Sequence, residues 1–196
     1  MDIYQFDKQY FGAGVSLVAG VDECGRGCLA GPVAAAAVIL PESCLLPGLK
    51  DSKKMSAKQR CALYPMIMEN AVSVSVALVE AWEIDELNIH HASLLAMKMA
   101  VDKLSVCPEI VLVDGRFLPD VQMKAENIIA GDQKSACIAA ASVIAKVTRD
   151  RLTGDYASIY TEYGFDKHKG YATAAHYAAL STHGSCPIHR QSFRLK

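Results

Sequence analysis

Apolar positions in this chain fall into short continuous runs separated by segments of helical spacing. Leu17–Val21 is short, apolar and partly β-branched, which predicts a strand buried on both faces. Val33–Leu40 repeats that character until Pro41 ends it, and residues 41–48 read as loop. Val72–Trp82 alternates and is rich in valine, predicting a third strand; Ile110–Val113 and Val121–Ile129 predict two more. Helices are predicted over Ala57–Asn70, with Ser56 as N-cap, and from Asp85 to about Leu104, where Leu87, His91, Leu94, Leu95, Met99 and Val101 recur at helical spacing. An alanine-rich, mostly apolar helix follows from Ser135 to Asp150, and residues 1–16 form a lead-in with helix around Tyr4–Tyr10. Strands and helices in alternation over 196 residues predict one α/β domain.

Composition narrows the class without naming a chemistry. The chain is 52% hydrophobic and 21% charged, with formal net charge −1, so no global basic field advertises nucleic acid. The local balance differs: residues 50–60 hold Lys50, Lys53, Lys54, Lys58 and Arg60 against Asp51 alone. Residues 146–196 hold eight Lys/Arg against four Asp/Glu, while Glu80, Glu83, Asp85 and Glu86 form an acidic face. That asymmetry allows a basic groove on a neutral protein. Seven scattered cysteines, an odd number with no Cys-x-x-Cys pair, predict reduced thiols, and Cys24 and Cys28 lack the partners of a zinc site. No signal-like leader or membrane-length apolar run is present, which predicts a cytoplasmic protein. His90 and His91 are adjacent on a helix, about 100° apart, and so are read as structural.

The chemistry concentrates where strands end. The first strand stops in Asp22-Glu23, followed at once by Gly25-Arg26-Gly27 and Gly31-Pro32. Ligands of open α/β sheets gather at the carboxyl ends of strands, and buried acids there call for a cation. The glycines permit a ligand to approach the backbone. Ile110–Val113 also ends in an acid, Asp114, although Asp114-Gly115 alone would serve as a turn. Asp132 precedes the alanine-rich helix, where capping of a helix N-terminus would by itself account for it.

Taken together, Asp22-Glu23 before Gly25-Arg26-Gly27 and Leu29-Ala30-Gly31-Pro32-Val33 resembles the signature of the type 2 ribonucleases H, the ribonuclease HII family. Further segments are similar: Asp51-Ser52-Lys53-Lys54, Val113-Asp114-Gly115, Gly131-Asp132, Ile138-Ala-Ala-Ala-Ser142 leading to Lys146-Val-Thr-Arg149-Asp150, and Gly170-Tyr171-x-Thr173-x-x-His176. The resemblance spans about Val18 to Phe193 and implies a ribonuclease H-like fold, a central mixed sheet flanked by helices with C-terminal helices beside the substrate groove. It implies Asp22, Glu23, Asp114 and Asp132 as catalytic carboxylates, with Asp150 as rival for the fourth place. Hard oxygen donors of this kind suit Mg²⁺ or Mn²⁺, and two such ions about 3.5–4 Å apart can clamp an in-line phosphodiester displacement. By resemblance, Gly25, Arg26, Gly27 and Tyr171 read the ribonucleotide-to-deoxyribonucleotide junction through the 2′-hydroxyl, while Lys53, Lys54, Lys146 and Arg149 hold phosphates. The implied activity is endonucleolytic cleavage of RNA in RNA–DNA hybrids, and 5′ to single ribonucleotides in duplex DNA, leaving 5′-phosphate and 3′-hydroxyl ends. A monomer without an obligate protein partner is expected.

Three other readings compete, one of them the related type 3 ribonucleases H, which usually carry an additional N-terminal substrate-binding domain. Gly25-x-Gly27-x-x-Ala30 after a strand satisfies a loose dinucleotide-binding pattern, with Glu42 as the ribose acid, but Asp22 and Glu23 would then face a pyrophosphate. A hybrid-binding protein without catalysis is opposed by the presence of all four carboxylates.

Overall fold

The structure, a computed structural model, describes residues 2–195. Five strands form one sheet: β1 (Val18–Cys24), β2 (Val33–Ile39), β3 (Ser73–Val79), β4 (Ile110–Asp114) and β5 (Lys124–Ile128), in the order β3-β2-β1-β4-β5. The pairings β1–β2 and β2–β3 are antiparallel, whereas β1–β4 and β4–β5 are parallel, so the sheet is mixed as anticipated. The helices are α1 (Ile3–Gly12), α2 (Ala57–Asn70), α3 (Ala81–Asp102), α4 (Ala136–Ile159), the short α5 (Phe165–His168) and α6 (Ala174–His183).

The pleat sends alternate residues of the buried strands to two cores. Val18, Ala36, Val38 and Leu112 meet α4 and α2 on one side. Ala19, Val21, Ala35, Ala37 and Val113 pack against α3 on the other. A third cluster, with Tyr163, Phe165 and Leu180, forms around the C-terminal helices and receives Leu29 and Ala30. No helix among the described residues is long and apolar enough to cross a membrane.

Several boundaries move for identifiable reasons. Strand β3 ends at Val79 rather than Trp82, and α3 begins at Ala81 rather than Asp85, because Glu80 and Glu83 form a capping box. Asn88, at φ 66°, kinks α3. Ser56 caps α2 as anticipated, with Gln59 completing the box. Helix α4 runs on to Ile159, so Asp150 lies inside it rather than at its end.

Helix α4 crosses the sheet against β1 at Gly20. A Cβ on Gly20 would run into the Cys137 carbonyl and the Ile138 backbone nitrogen. Neither obstacle is a flexible side chain, so the helix itself would have to retreat from the strand. Gly20→Ala is therefore expected to destabilise the protein by about 3 kcal/mol, the upper part of the range for overpacking. Urea unfolding monitored by circular dichroism checks this, and a wild-type midpoint would refute the close-approach account.

Candidate active site

Parallel pairing carries β1 and β4 side by side until Val21 meets Val113, and each strand then delivers an aspartate at its next position. Asp22 follows Val18 and Gly20 in the pleat, facing α4. Asp114 is the last residue of β4, and its Oδ1 accepts the Gly131 N–H at 2.7 Å. That bond ties the strand end to a 3-10 turn over Gly131–Gln133 that carries Asp132. Asp114-Gly115 is thus no hairpin turn, since β4 and β5 are parallel. Asp132 does not cap α4 either: Ser135 does, accepting from the Ile138 N–H at 3.2 Å. Asp22, Asp114 and Asp132 each turn one carboxylate oxygen inward, and these atoms lie within 4.8 Å of one another.

Glu23 stands outside that triad. β1 does not break beside it; antiparallel pairing to β2 continues through Cys24, so Glu23 begins on the opposite face from Asp22. Its Oε1 accepts from Arg26 at 3.2 Å, while Oε2 is buried without a partner. Asp150 is drawn off by other cations, Lys146 at 2.7 Å and Arg60 at 3.9 Å.

Burial, followed by the charges of Glu23 and Asp114, holds the Asp22 carboxyl well above the ordinary carboxylate range, against the Ser142 hydroxyl and Lys53, which lower it. Burial followed by Asp114 raises Asp132 as well, and burial raises Glu23 despite Arg26. Lys53 answers the triad: its Nζ lies 3.4 Å from Asp132 Oδ2. Burial lowers its pKa, but Asp22 and Asp132 together outweigh that and raise it. Asp51 accepts the Lys53 N–H at 2.8 Å and so fixes the turn, and Ser52 Oγ meets Ser142 Oγ of α4 at 2.6 Å. Asp51, buried and close to Asp132, is thus a further acid of the site that the chain pattern showed only as a charge among lysines.

One lysine cannot neutralise three converged aspartates, two of them buried and Asp114 half-buried, and Glu23 retains an orphaned oxygen. This all-oxygen donor set fits hard divalent cations of the Mg²⁺ or Mn²⁺ type.

Beside the acids lies a groove of about 260 Å³ lined by Glu23, Gly25, Arg26, Gly27, Lys53 and Tyr171, among others. Tyr171 bridges Cys28 in the backbone and does not open a helix; α6 starts three residues later, capped by Thr173. Lys146 lies 5.3 Å from the centroid of the Tyr171 ring, and burial pushes the phenol pKa up, so its hydroxyl stays protonated. Lys54 reaches Gln133 Oε1 at 2.9 Å on the exposed rim.

Arg149 is not a phosphate contact. It is fully buried, donating Nε to Pro32 O at 2.9 Å, Nη1 to Lys169 O at 2.9 Å and Nη2 to Ala30 O at 3.0 Å. Gly25, at φ 96°, exists against it: a Cβ there would strike the Arg149 side chain. A helical arginine beside Lys146 carries no chain-pattern signal that separates a backbone clamp from a phosphate ligand.

Tyr171 is held from behind by histidines. The Cys186 N–H donates to His189 Nδ1 at 2.9 Å, which leaves His189 Nε2–H to donate to His176 Nε2 at 3.0 Å. His176 Nδ1–H then donates to the Tyr171 carbonyl at 3.0 Å. Burial lowers both imidazoles, His189 to about 4, where the neighbouring His176 adds to the effect.

Fold and site together define a hydrolase of the ribonuclease H-like class. The sequence model of the family described as Ribonuclease HII matches residues 19–196. Ribonuclease HII of Bacillus pumilus is 50% identical over 98% of this chain and 75% of its own, and that of Marinomonas sp. is 55% identical over 94% and 92%. The crystal structure of ribonuclease H2 from Pyrococcus horikoshii superposes with a TM-score of 0.78 at 27% identity, covering 91% of this chain and 94% of that one. The chain belongs to the ribonuclease HII family. It is accordingly a divalent-metal-dependent endonuclease acting on the RNA of RNA–DNA hybrids.

Two outcomes are expected from this geometry. Asp22→Asn removes one of the mutually repelling charges, so in EDTA it should raise stability by about 0.5–2 kcal/mol while reducing the rise in Tm that Mn²⁺ gives the wild type. Thermal unfolding with and without metal tests this; a lower Tm in EDTA would contradict the repulsion account. The lowered histidines contribute stability that is complete above the unfolded pKa of about 6.5 and is lost as pH falls toward about 4. Between about pH 7 and about pH 5 His189 should cost at most about 2 kcal/mol, a slope that His189→Gln should flatten in urea titrations.

Proposed function

We propose that this chain, acting as one catalytic domain in the cytoplasm, nicks duplex DNA 5′ to single embedded ribonucleotides as well as cutting longer RNA–DNA hybrids. The observation that supports this most is the adjacency of the converged aspartates to the Gly25-Arg26-Gly27 loop and Tyr171 on one groove wall.

Asp22, Asp114 and Asp132 would hold the ions, with the free oxygen of Glu23 available to the same site. Bound as a pair, Mg²⁺ or Mn²⁺ would polarise the scissile phosphate, lower the pKa of an attacking water and steady the leaving 3′ oxygen. The chain's own groups do the rest. Backbone N–H groups of the glycine loop come close enough to a sugar to sense its 2′-hydroxyl, which separates RNA from DNA at one position. The protonated Tyr171 hydroxyl donates a hydrogen bond while its ring offers a stacking face. Lys146, beside that ring, Lys53 beside the acids and Lys54 on the exposed rim attract the phosphates without reading sequence. Hydrolysis leaves a 5′-phosphate and a 3′-hydroxyl.

A labelled DNA duplex with one ribonucleotide, incubated with Mg²⁺, Mn²⁺ or EDTA beside its all-DNA counterpart, tests the reading. A metal-dependent nick 5′ to the ribonucleotide is expected, with Asp114→Asn slower by about 10²-fold or more. Cutting of a long hybrid alone would retain the acids and refute the roles of the loop and Tyr171.

A further inference from the structure

The glycine loop owes its shape to a side chain 165 residues away. Arg190 is fully buried, and its guanidinium donates Nε to Gly31 O at 2.9 Å, Nη1 to Arg26 O at 2.9 Å and Nη2 to Gly25 O at 2.8 Å. A trans peptide sets its C=O and the following N–H on opposite sides. Drawing the Gly25 and Arg26 carbonyls inward therefore turns the Arg26 and Gly27 N–H groups away from the protein. Among the described residues neither N–H donates to a protein acceptor, although Cys28, Leu29 and Gly31 just beyond all do.

We propose that Arg190 is the positioning residue of the ribonucleotide-reading loop, its planar fork holding two adjacent carbonyls so that the next two N–H groups present themselves to the sugar–phosphate backbone of the substrate. The inference rests on the junction-reading role proposed above.

Arg190 is itself anchored from three directions. Its N–H donates to Leu29 O at 2.9 Å, and His189 beside it belongs to the chain of imidazoles reaching Tyr171. Asp85 of α3 accepts the N–H groups of Gln191 at 2.8 Å and Ser192 at 2.9 Å, so this acid belongs to the C-terminal anchor and not to a solvated face. Among the described residues no carboxylate pairs with the guanidinium itself; its bonds there run to backbone carbonyls. A buried cation without a counter-ion is expensive where an apolar side chain would fill the same volume. Lysine, a point charge, could not span three carbonyls at once.

The test compares wild type, Arg190→Lys, Arg190→Met and Asp85→Ala on the single-ribonucleotide duplex, with kcat and KM separated and the Mn²⁺-induced Tm shift measured in parallel. Expected for Arg190→Met is a rise in KM of about tenfold or more at a nearly unchanged metal-induced shift, with partial recovery in Arg190→Lys. Asp85→Ala, which keeps the guanidinium and loosens its anchor, should move KM in the same direction by a smaller factor. Wild-type KM in folded Arg190→Met overturns the proposal. So does loss of fold in both Arg190→Met and Asp85→Ala, or a fall in kcat together with the metal shift, since each marks a purely structural role. Failure of the wild type to cut this duplex would instead refute the junction-reading assignment.

Discussion

Three carboxylates within 4.8 Å of one another repel, and burial makes the repulsion worse. Much of the architecture holds them there. Two come from neighbouring parallel strands, which set their spacing by backbone hydrogen bonds, and the third comes from a turn pinned to one of those strands through Gly131. Helix α4 backs all three by lying against β1 at Gly20, presenting Ser142 to Asp22 and, through Ser52, fixing the turn that offers Lys53. Stability is sacrificed at this point so that hard cations meet donors already assembled. Strained or repelling groups of this sort persist only where surrounding packing over-determines them.

A second constraint acts on the other wall of the groove. Loops that must lend their N–H groups to a substrate cannot satisfy those groups internally, so something else has to order the loop. Here two buried arginines do so by engaging carbonyls: Arg149 from α4 takes Ala30, Pro32 and Lys169, and Arg190 takes Gly25, Arg26 and Gly31. Because Arg149 also ties in the carbonyl of Lys169, two residues before Tyr171, the glycine loop and the Tyr171 segment both refer to one helix. Positive φ at Gly25 is the backbone's accommodation to that helix.

Most of the sheet was legible along the chain, because buried strands must be short and apolar and their ends carried the acids. The ends of β3 and α3 were not, because Glu80 and Glu83 look like surface charge until their side chains are seen to close on the first turn of a helix. Asp22 and Asp114 were legible as strand-end acids and Asp132 as an acid before a helix, and their convergence depended on register, which periodicity does not encode. The arginines were the hardest to read. Arg149 beside Lys146 and Arg190 beside His189 have the composition of a phosphate-binding face, yet both are wholly buried. A guanidinium satisfied by carbonyls and one reserved for phosphate differ only in what the rest of the fold brings to them.

That distinction bears on how the basic character of the groove is built. With Arg149 and Arg190 withdrawn into the protein and Arg26 paired to Glu23, the other cations lining the groove are Lys53, Arg60 and Lys146, with Lys54 on the rim; Lys53 already faces Asp132, and Arg60 and Lys146 face Asp150. On the proposed function such a surface holds phosphates by mobile ammonium groups, which place a duplex without fixing its register. Register must then come from the rigid components, the outward N–H groups of the glycine loop and the Tyr171 ring, which meet at the backbone bridge between Cys28 and Tyr171. Weak, adaptable attraction along the strand and stiff recognition at one sugar is the division of labour that the proposed cleavage beside a single embedded ribonucleotide requires.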